Sequence, residues 1–203
     1  MTAGAPQAFA APVALSGHGI RLEPLRPAHA DALLAAAGDG RLWDLHYTGV
    51  PGPDPGSVAD YVREALAGRD AGTMLPFAVR DAAGDVVGST RFYDIDPAVP
   101  TLAIGYTWYA ARAQRTRVNT ACKRLLLGHA FDALRACAVY FHTSHLNLRS
   151  QAAIERLGAH RDGVLRHHRR HRDGSLRDTF VYSIVDREWP GVRDRLDARL
   201  AAG

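Results

Sequence analysis

The sequence predicts an α+β domain, a three-layer α/β/α arrangement in which a mixed, mostly antiparallel sheet of about seven strands lies between helices. Three observations predict it. After a short alternating strand at Ile20–Leu25, apolar spacing is helical from Ala30 to Leu66 and turns to alternation from Leu75. Three strand-like runs then follow one another, Leu75–Arg80, Val86–Tyr93 and Leu102–Trp108, which implies an antiparallel meander. From Asn119 onward, helical and strand-like runs take turns, as a sheet covered on both faces requires.

Residues 1–17 read as an N-terminal tail and 18–203 as a single domain. The tail is rich in Ala and Pro, with no basic leader, and Pro6, Gln7 and Pro12 interrupt its apolar run. Ile20, Leu22 and Leu25 alternate as a short strand until Pro24 and Pro27. Pro27 suits a first helical turn, and Ala30, Leu33, Leu34 and Ala37 continue that helix to Gly38 and Gly40. Trp43 and Tyr47 fall in a loop, Pro51–Gly56 is a break, and Ser57 is placed to cap a helix carrying Val58, Tyr61, Val62, Ala65 and Leu66. The meander turns at Ala82–Asp85. Beyond it come a helix from Asn119 to Leu134, a strand Ala138–Ser144 and a helix Leu148–Leu157 stopped by Gly158. Two strands around Asp173-Gly174 and a helix Asp186–Leu200 finish the chain.

With 203 residues the chain buries a substantial core without staples. Its net charge of +4 is carried almost wholly by arginine, Lys123 being the only lysine, and argues only mildly for an anionic ligand. Cys122 and Cys137 lie in apolar segments without a Cys-x-x-Cys spacing, which points to reduced thiols, no disulfide and a cytoplasmic protein. No apolar run is long enough for a bilayer, and the ten histidines show no convincing metal-ligand spacing. The run Arg166–Arg172 alternates across a strand, which divides its charge between two surfaces, and no aromatic residues interleave for base stacking. It reads as a solvated hairpin rim that also suits an acidic substrate, and nucleic acid is disfavoured as a partner.

The junction Gln114–Lys123 joins a strand to a helix through a polar loop. Amides at such a helix start have no intrahelical acceptor, and Arg115 and Arg117 add charge, so the loop is suited to a phosphate or pyrophosphate.

The order of elements, together with Val87-Gly88-Ser89-Thr90-Arg91-Phe92, Ile104-Gly105-Tyr106-Thr107-Trp108, Gln114–Lys123, Asn147-x-x-Ser150, Leu157-Gly158-Ala159 and Asp173-Gly174 before Arg177-Asp178, resembles the GCN5-related N-acetyltransferase (GNAT) superfamily. Within it, the chain is most similar to the ribosomal-protein N-terminal acetyltransferase-like branch. The resemblance covers nearly the whole chain. It implies a sheet splayed to hold acyl-CoA, with acetyl-CoA as co-substrate and no metal. The implied partner is a primary amine, on a protein N-terminus or a small molecule, with a homodimer left open.

Carried onto this chain, the family's phosphate loop Gln/Arg-x-x-Gly-x-Gly/Ala falls on Gln114, Arg115, Thr116, Arg117, Val118 and Asn119, followed by Thr120. Arg117 stands where glycine permits close approach, and Asn119 stands where Gly or Ala is usual and is also suited to cap the helix. The resemblance places the pantetheine against the backbone from Tyr106 to Tyr109, Trp108 included. Asn147 and Ser150 would bind that arm and the departing sulfur, with Tyr106 as a further catalytic candidate; the alternative is that Asn147 and Ser150 serve only as an N-cap and its first turn. Trp43, Tyr47, Phe92, Tyr93 and Asp94 are the acceptor-pocket candidates, with core packing the competing role for the aromatics. Many relatives carry a glutamate where this chain has Ala103, so a base must come from Asp94, Asp96, His142, His145 or water. Two functions follow. One is acetyl transfer to an amine; the other, motivated by the altered loop and by Ala103, is a non-catalytic acyl-CoA-binding or interaction module.

Overall fold

The computed structural model describes residues 9–202. Its eight strands are β1 (Leu15–Gly17), β2 (Ile20–Pro24), β3 (Met74–Arg80), β4 (Val86–Asp96), β5 (Thr101–Tyr109), β6 (Ala138–Ser144), β7 (His160–Arg170) and β8 (Leu176–Val185). They form one sheet in the order β1-β2-β3-β4-β5-β6-β8-β7, antiparallel at every pairing except β5 with β6. The expected strands are all there. The eighth comes from the segment assigned to the tail: Leu15–Gly17 pairs with Ile20–Leu22, and Phe9 is buried in the core. Met1–Ala8 lie outside the described residues.

The helices that flank the sheet include α1 (Ala30–Gly38), α2 (Pro55–Asp70), α3 (Val118–Gly128), α4 (Leu148–Leu157) and α5 (Trp189–Ala201). Alternation along the strands builds two cores from one sheet. Leu75, Phe77 and Val79 of β3 join Phe92, Leu102, Ile104, Phe141 and Tyr182 beneath α3, α4 and α5, whereas Ala78, Val86 and Trp108 join Leu33, Val58 and Val62 beneath α1 and α2. Among the described residues no helix is long and apolar enough to cross a membrane.

Three expected boundaries move, each for a local reason. Asp54, not Ser57, caps α2: its carboxylate accepts from the Ser57 N–H at 3.0 Å, and Pro55 fills the first helical position, where no N–H is needed. The helix foreseen to Leu134 is α-helical only to Gly128 and passes into a π turn over His129–Ala133. Asn119 lies inside α3 and does not cap it; the Thr116 hydroxyl accepts from the Val118 N–H at 3.2 Å instead.

One buried polar group reports on pH. His29 Nδ1 accepts from the Arg26 N–H at 3.0 Å, so its other nitrogen carries the proton toward Glu23 Oε1 at 2.9 Å. Burial lowers the His29 pKa below 6.5 despite that carboxylate, because protonation would set two donors face to face. Between its folded value and 6.5 the unfolded chain binds more protons, so its contribution is complete above the unfolded value and is lost as pH falls through the folded one. Burial lowers the His129 and His171 values in the same direction. Thermal unfolding measured at pH 7.5 and pH 5.5 is therefore expected to show a lower midpoint at the acid value; equal midpoints would contradict this.

Candidate active site

The sheet parts where its only parallel pair meets. β5 and β6 are joined at Thr101↔Ala138, Leu102↔Val139 and Ala103↔Tyr140, and nowhere beyond. β5 then runs on to Tyr109, while β6 stays paired with β8 as far as Ser144. The edge of β5 facing the gap thus carries N–H and C=O groups with no strand beside them, ready to pair with an extended amide-bearing ligand. A bulge lies in the same stretch: Arg91 pairs with Gly105 and Ser89 with Trp108, which leaves Tyr106 and Thr107 against Thr90 alone. Tyr106 adopts φ 51, a left-handed conformation that costs a non-glycine residue energy and is held by its surroundings.

The bulge sends consecutive side chains to opposite faces. Thr107 Oγ1 lies 2.8 Å from Thr90 Oγ1 and accepts from Lys123 Nζ at 2.9 Å on the α3 side. Lys123 is 6% exposed, and burial lowers its pKa to about 8. On the α1/α2 side the Tyr106 ring meets the Tyr93 ring edge-on, with centroids 5.2 Å apart. The Arg91 guanidinium is gripped between the Tyr106 and Tyr61 rings, 4.4 Å from each, and is only 1% exposed. Trp108 also turns to this side, its indole N–H donating to Tyr61 Oη at 3.1 Å, while Tyr109 packs in the opposite core. Trp108 and Tyr109 therefore offer a ligand in the gap their backbone.

The loop into α3 has the geometry of an anion site. Among the described residues the amides of Arg115, Thr116, Arg117, Asn119 and Thr120 have no acceptor. Gln114 fixes the loop by donating from Nε2 to the Tyr109 carbonyl at 2.9 Å. The residue with positive φ is Arg115, at 60°, whereas Arg117, at the usual glycine position, has an ordinary φ of −69°. Its side chain swings away and donates to the Leu200 carbonyl of α5 at 3.0 Å. Thr116, Thr120, Arg115, Arg117, Arg199 and Leu200 line a concave surface there.

Asn147 caps α4, its Oδ1 accepting from the Ser150 N–H at 3.0 Å. The Ser150 hydroxyl forms no hydrogen bond with a described residue. The N-cap alternative thus holds for Asn147 and leaves the Ser150 oxygen free.

Opposite α3, Tyr93 Oη lies 2.9 Å from His142 Nδ1, and Asp94 Oδ2 lies 3.9 Å from the same nitrogen. Tyr93 stands across from Ala103, and its ring lies over Gly105, where a Cβ would come within 2.6 Å of the ring edge. The space a larger residue would need is occupied by tyrosine. Burial raises the Tyr93 pKa and lowers that of His142, so both are neutral at pH 7 and share one proton between oxygen and nitrogen. The other base candidates are committed elsewhere. Asp96 accepts from the Ala98 and Val99 amides, and His145 Nδ1 accepts from the Asp178 N–H at 3.1 Å.

Of the acceptor-pocket candidates, Tyr93 and Asp94 lie beside the gap. Phe92 does not: alternation turns it into the α3 core against Phe77 and His129. Trp43 packs on the α1/α2 core, and Tyr47 meets His46 in the loop that precedes α2. The β7–β8 hairpin is more than a solvated rim. Arg172 donates to the Val50 carbonyl, and buried His171 bridges Ser144 Oγ at 2.9 Å and Ser175 Oγ at 3.0 Å. The hairpin tip is thereby fastened to the loop before α2, roofing the α1/α2 side of the gap.

Residues 20–160 match the family model described as an acetyltransferase (GNAT) domain. The chain belongs to the GNAT acetyltransferase family. It is 36% identical to an acetyltransferase of T. thermophilus, over 93% of this chain and 97% of that one, with TM-score 0.82. A GCN5-related N-acetyltransferase from Brucella melitensis is 29% identical over 93% of this chain and 85% of its own, with TM-score 0.83. Mycobacterium smegmatis RimJ, solved in complex with CoA-disulfide, shares the fold at 23% identity and TM-score 0.79, over 94% of this chain and 96% of that one. No curated protein matches the chain.

Two side chains at the site were not singled out from the sequence. Lys123 had a visible signal, a lone lysine between the buried positions Cys122 and Leu126. Arg91 stood inside one of the family motifs, but alternation does not say which face of a strand lines a gap. A side-chain ammonium titration followed by nuclear magnetic resonance sees Lys123 as a single resonance. Its midpoint is expected at about 8, and a midpoint at the ordinary value of 10.5 would contradict the buried, carboxylate-free setting.

Proposed function

We propose that the protein transfers an acetyl group from acetyl-CoA directly to a primary amine, on a small molecule or at the end of a peptide chain. The observation that carries this reading is the parted β5–β6 pair with the free amides of the α3 loop at one end of β5. Those amides suit a pyrophosphate, aided by the dipole of α3, and the open edge of β5 suits the pantetheine amides. Arg117 does not obstruct this, since its side chain is held at Leu200. The CoA-disulfide in the RimJ structure accords with such a site.

Amine and thioester need orientation and a route for each proton. On the amine side, the Tyr93 oxygen accepts a proton from the attacking nitrogen while its own O–H proton passes to His142 Nδ1; the Asp94 carboxylate steadies the imidazolium. This pair stands in for the carboxylate that Ala103 lacks. On the sulfur side, the Ser150 hydroxyl, whose backbone N–H is taken by Asn147, donates a hydrogen bond that stabilises the leaving thiolate, which then takes its proton from solvent. The end of β5–β6 pairing at Ala103 leaves the β5 edge open to the thioester arm.

The fastening of the hairpin to the loop before α2 favours a small or extended acceptor over the surface of a folded protein. A non-catalytic acyl-CoA-binding module remains the competing function, but the Tyr93–His142 pair favours chemistry.

Thiol release from acetyl-CoA with a panel of amines and peptides tests the reading, and Ser150→Ala tests its sulfur side. The substitution is expected to lower turnover about a hundredfold, leaving acetyl-CoA affinity and the thermal midpoint nearly unchanged. Full turnover in the variant would remove Ser150 from the reaction, and no thiol release with any acceptor would favour the binding module.

A further inference from the structure

The hairpin strands carry two arginines that the reaction as derived does not use. Arg169 on β7 and Arg177 on β8 are direct cross-strand partners. Like charges so placed repel, and among the described residues neither forms an ion pair or a side-chain hydrogen bond. Arg177 is half-buried, and its Nε is fully buried with no acceptor. A guanidinium keeps its charge in such a place, so this orphan donor calls for an acceptor from outside the chain.

The arrangement is built by a bulge. His167 takes φ 50, and its N–H donates to Asp178 Oδ1 at 2.8 Å. That carboxylate, the nearest in sequence to Arg177, is thus engaged with the backbone. Between Leu165↔Thr179 and Arg169↔Arg177, β7 advances four residues while β8 advances two, which keeps the two arginines on the same face. Phe180 and Tyr182 of β8 belong to the α3 core, so Arg177, like Thr179 and Val181, points to the opposite face, which carries Tyr93 and His142. The electrostatic coupling agrees: Arg169 and Arg177 both act on Tyr93 and His142. Asp94 lies on the His142 side of this group, 3.9 Å from His142 Nδ1, and among the described residues forms no ion pair with either arginine.

We propose that Arg169 and Arg177 form an anion subsite beside the Tyr93–His142 pair, and that the amine acceptor carries a carboxylate or phosphate which these guanidiniums hold. The forked geometry of arginine matches either group bidentately. The assignment rests on the reading of Tyr93 and His142 as the amine side. Binding the anion there would leave the amine end of the same molecule directed at Tyr93, and would relieve the repulsion between the two arginines.

The test uses matched acceptors: β-alanine against propylamine for the carboxylate, and O-phosphoethanolamine against ethanolamine for the phosphate. Each is run on the full chain with saturating CoA as a thermal shift, and with acetyl-CoA as thiol release. The anionic member of at least one pair is expected to bind and react about tenfold better than its neutral partner. Whichever pair discriminates identifies the anion. The advantage should shrink in Arg177→Gln, survive in part in Arg177→Lys, and fall with rising salt. Exposed Arg169→Ala, whose folding is not at stake, should also reduce it. Equal shifts for both members of both pairs, or an advantage unchanged in Arg169→Ala and Arg177→Gln, would overturn the subsite. Anion-selective binding without thiol release would uphold it and count against the transfer reaction instead.

Discussion

The structure depends on a limit to one strand pairing. β5 and β6 share three residue pairs and then part, although each continues for several residues. A parallel pair closed along its whole length would bury the β5 edge and leave no gap for a ligand. The bulge at Tyr106 supports the opening from the β4 side, by turning Thr107 toward Lys123 and Tyr106 toward Arg91. The free amides before α3, the Ser150 hydroxyl and the Tyr93–His142 pair acquire a shared purpose only around that gap.

Among the described residues, Arg91 and Lys123 beside the gap have no carboxylate partner. Arg91 has two aromatic faces and the Met74 sulfur for company while its buried Nε finds no acceptor among the described residues, and Lys123 has a single threonine hydroxyl. Each pays a desolvation cost that an apolar residue of similar size would avoid. By contrast, the buried Glu23 at the far side of the sheet has both Arg80 and His29. Burial alone would raise its pKa, but those two partners outweigh burial and hold it below the ordinary carboxylate value. A chain that fully pairs a buried charge away from the gap and leaves several underpaired near it has placed its positive potential where an anionic co-substrate would pass.

Much of the fold was legible because alternation and helical spacing are local. Leu75, Phe77 and Val79 announce a strand with one buried face, and Gly158 announces the end of α4, where it adopts φ 94. Leu15–Gly17 was not legible: three residues among prolines and glycines become a strand only because β2 offers an edge. The phosphate loop was legible as a motif but not in shape. A glycine position held by Arg117 suggested an altered backbone, whereas the strain sits at Arg115 and tertiary contact with Leu200 removes the side chain. The assignment of Phe92 to the acceptor pocket failed on strand parity, which no spacing within β4 fixes. His142 was visible as a candidate, but its partner Tyr93 lies 49 residues away in sequence and is joined to it only by the fold.

Hydrogen exchange of the full chain with and without CoA reports on the gap amide by amide. Slowed exchange is expected in two separated stretches, Tyr106–Tyr109 on β5 and Arg115–Thr120 at the start of α3. These stretches contain the β5 amides that face the gap, where β6 no longer pairs, and the loop amides without an acceptor, which would gain one from the ligand. Protection confined to other segments, or none at saturating CoA, would contradict this.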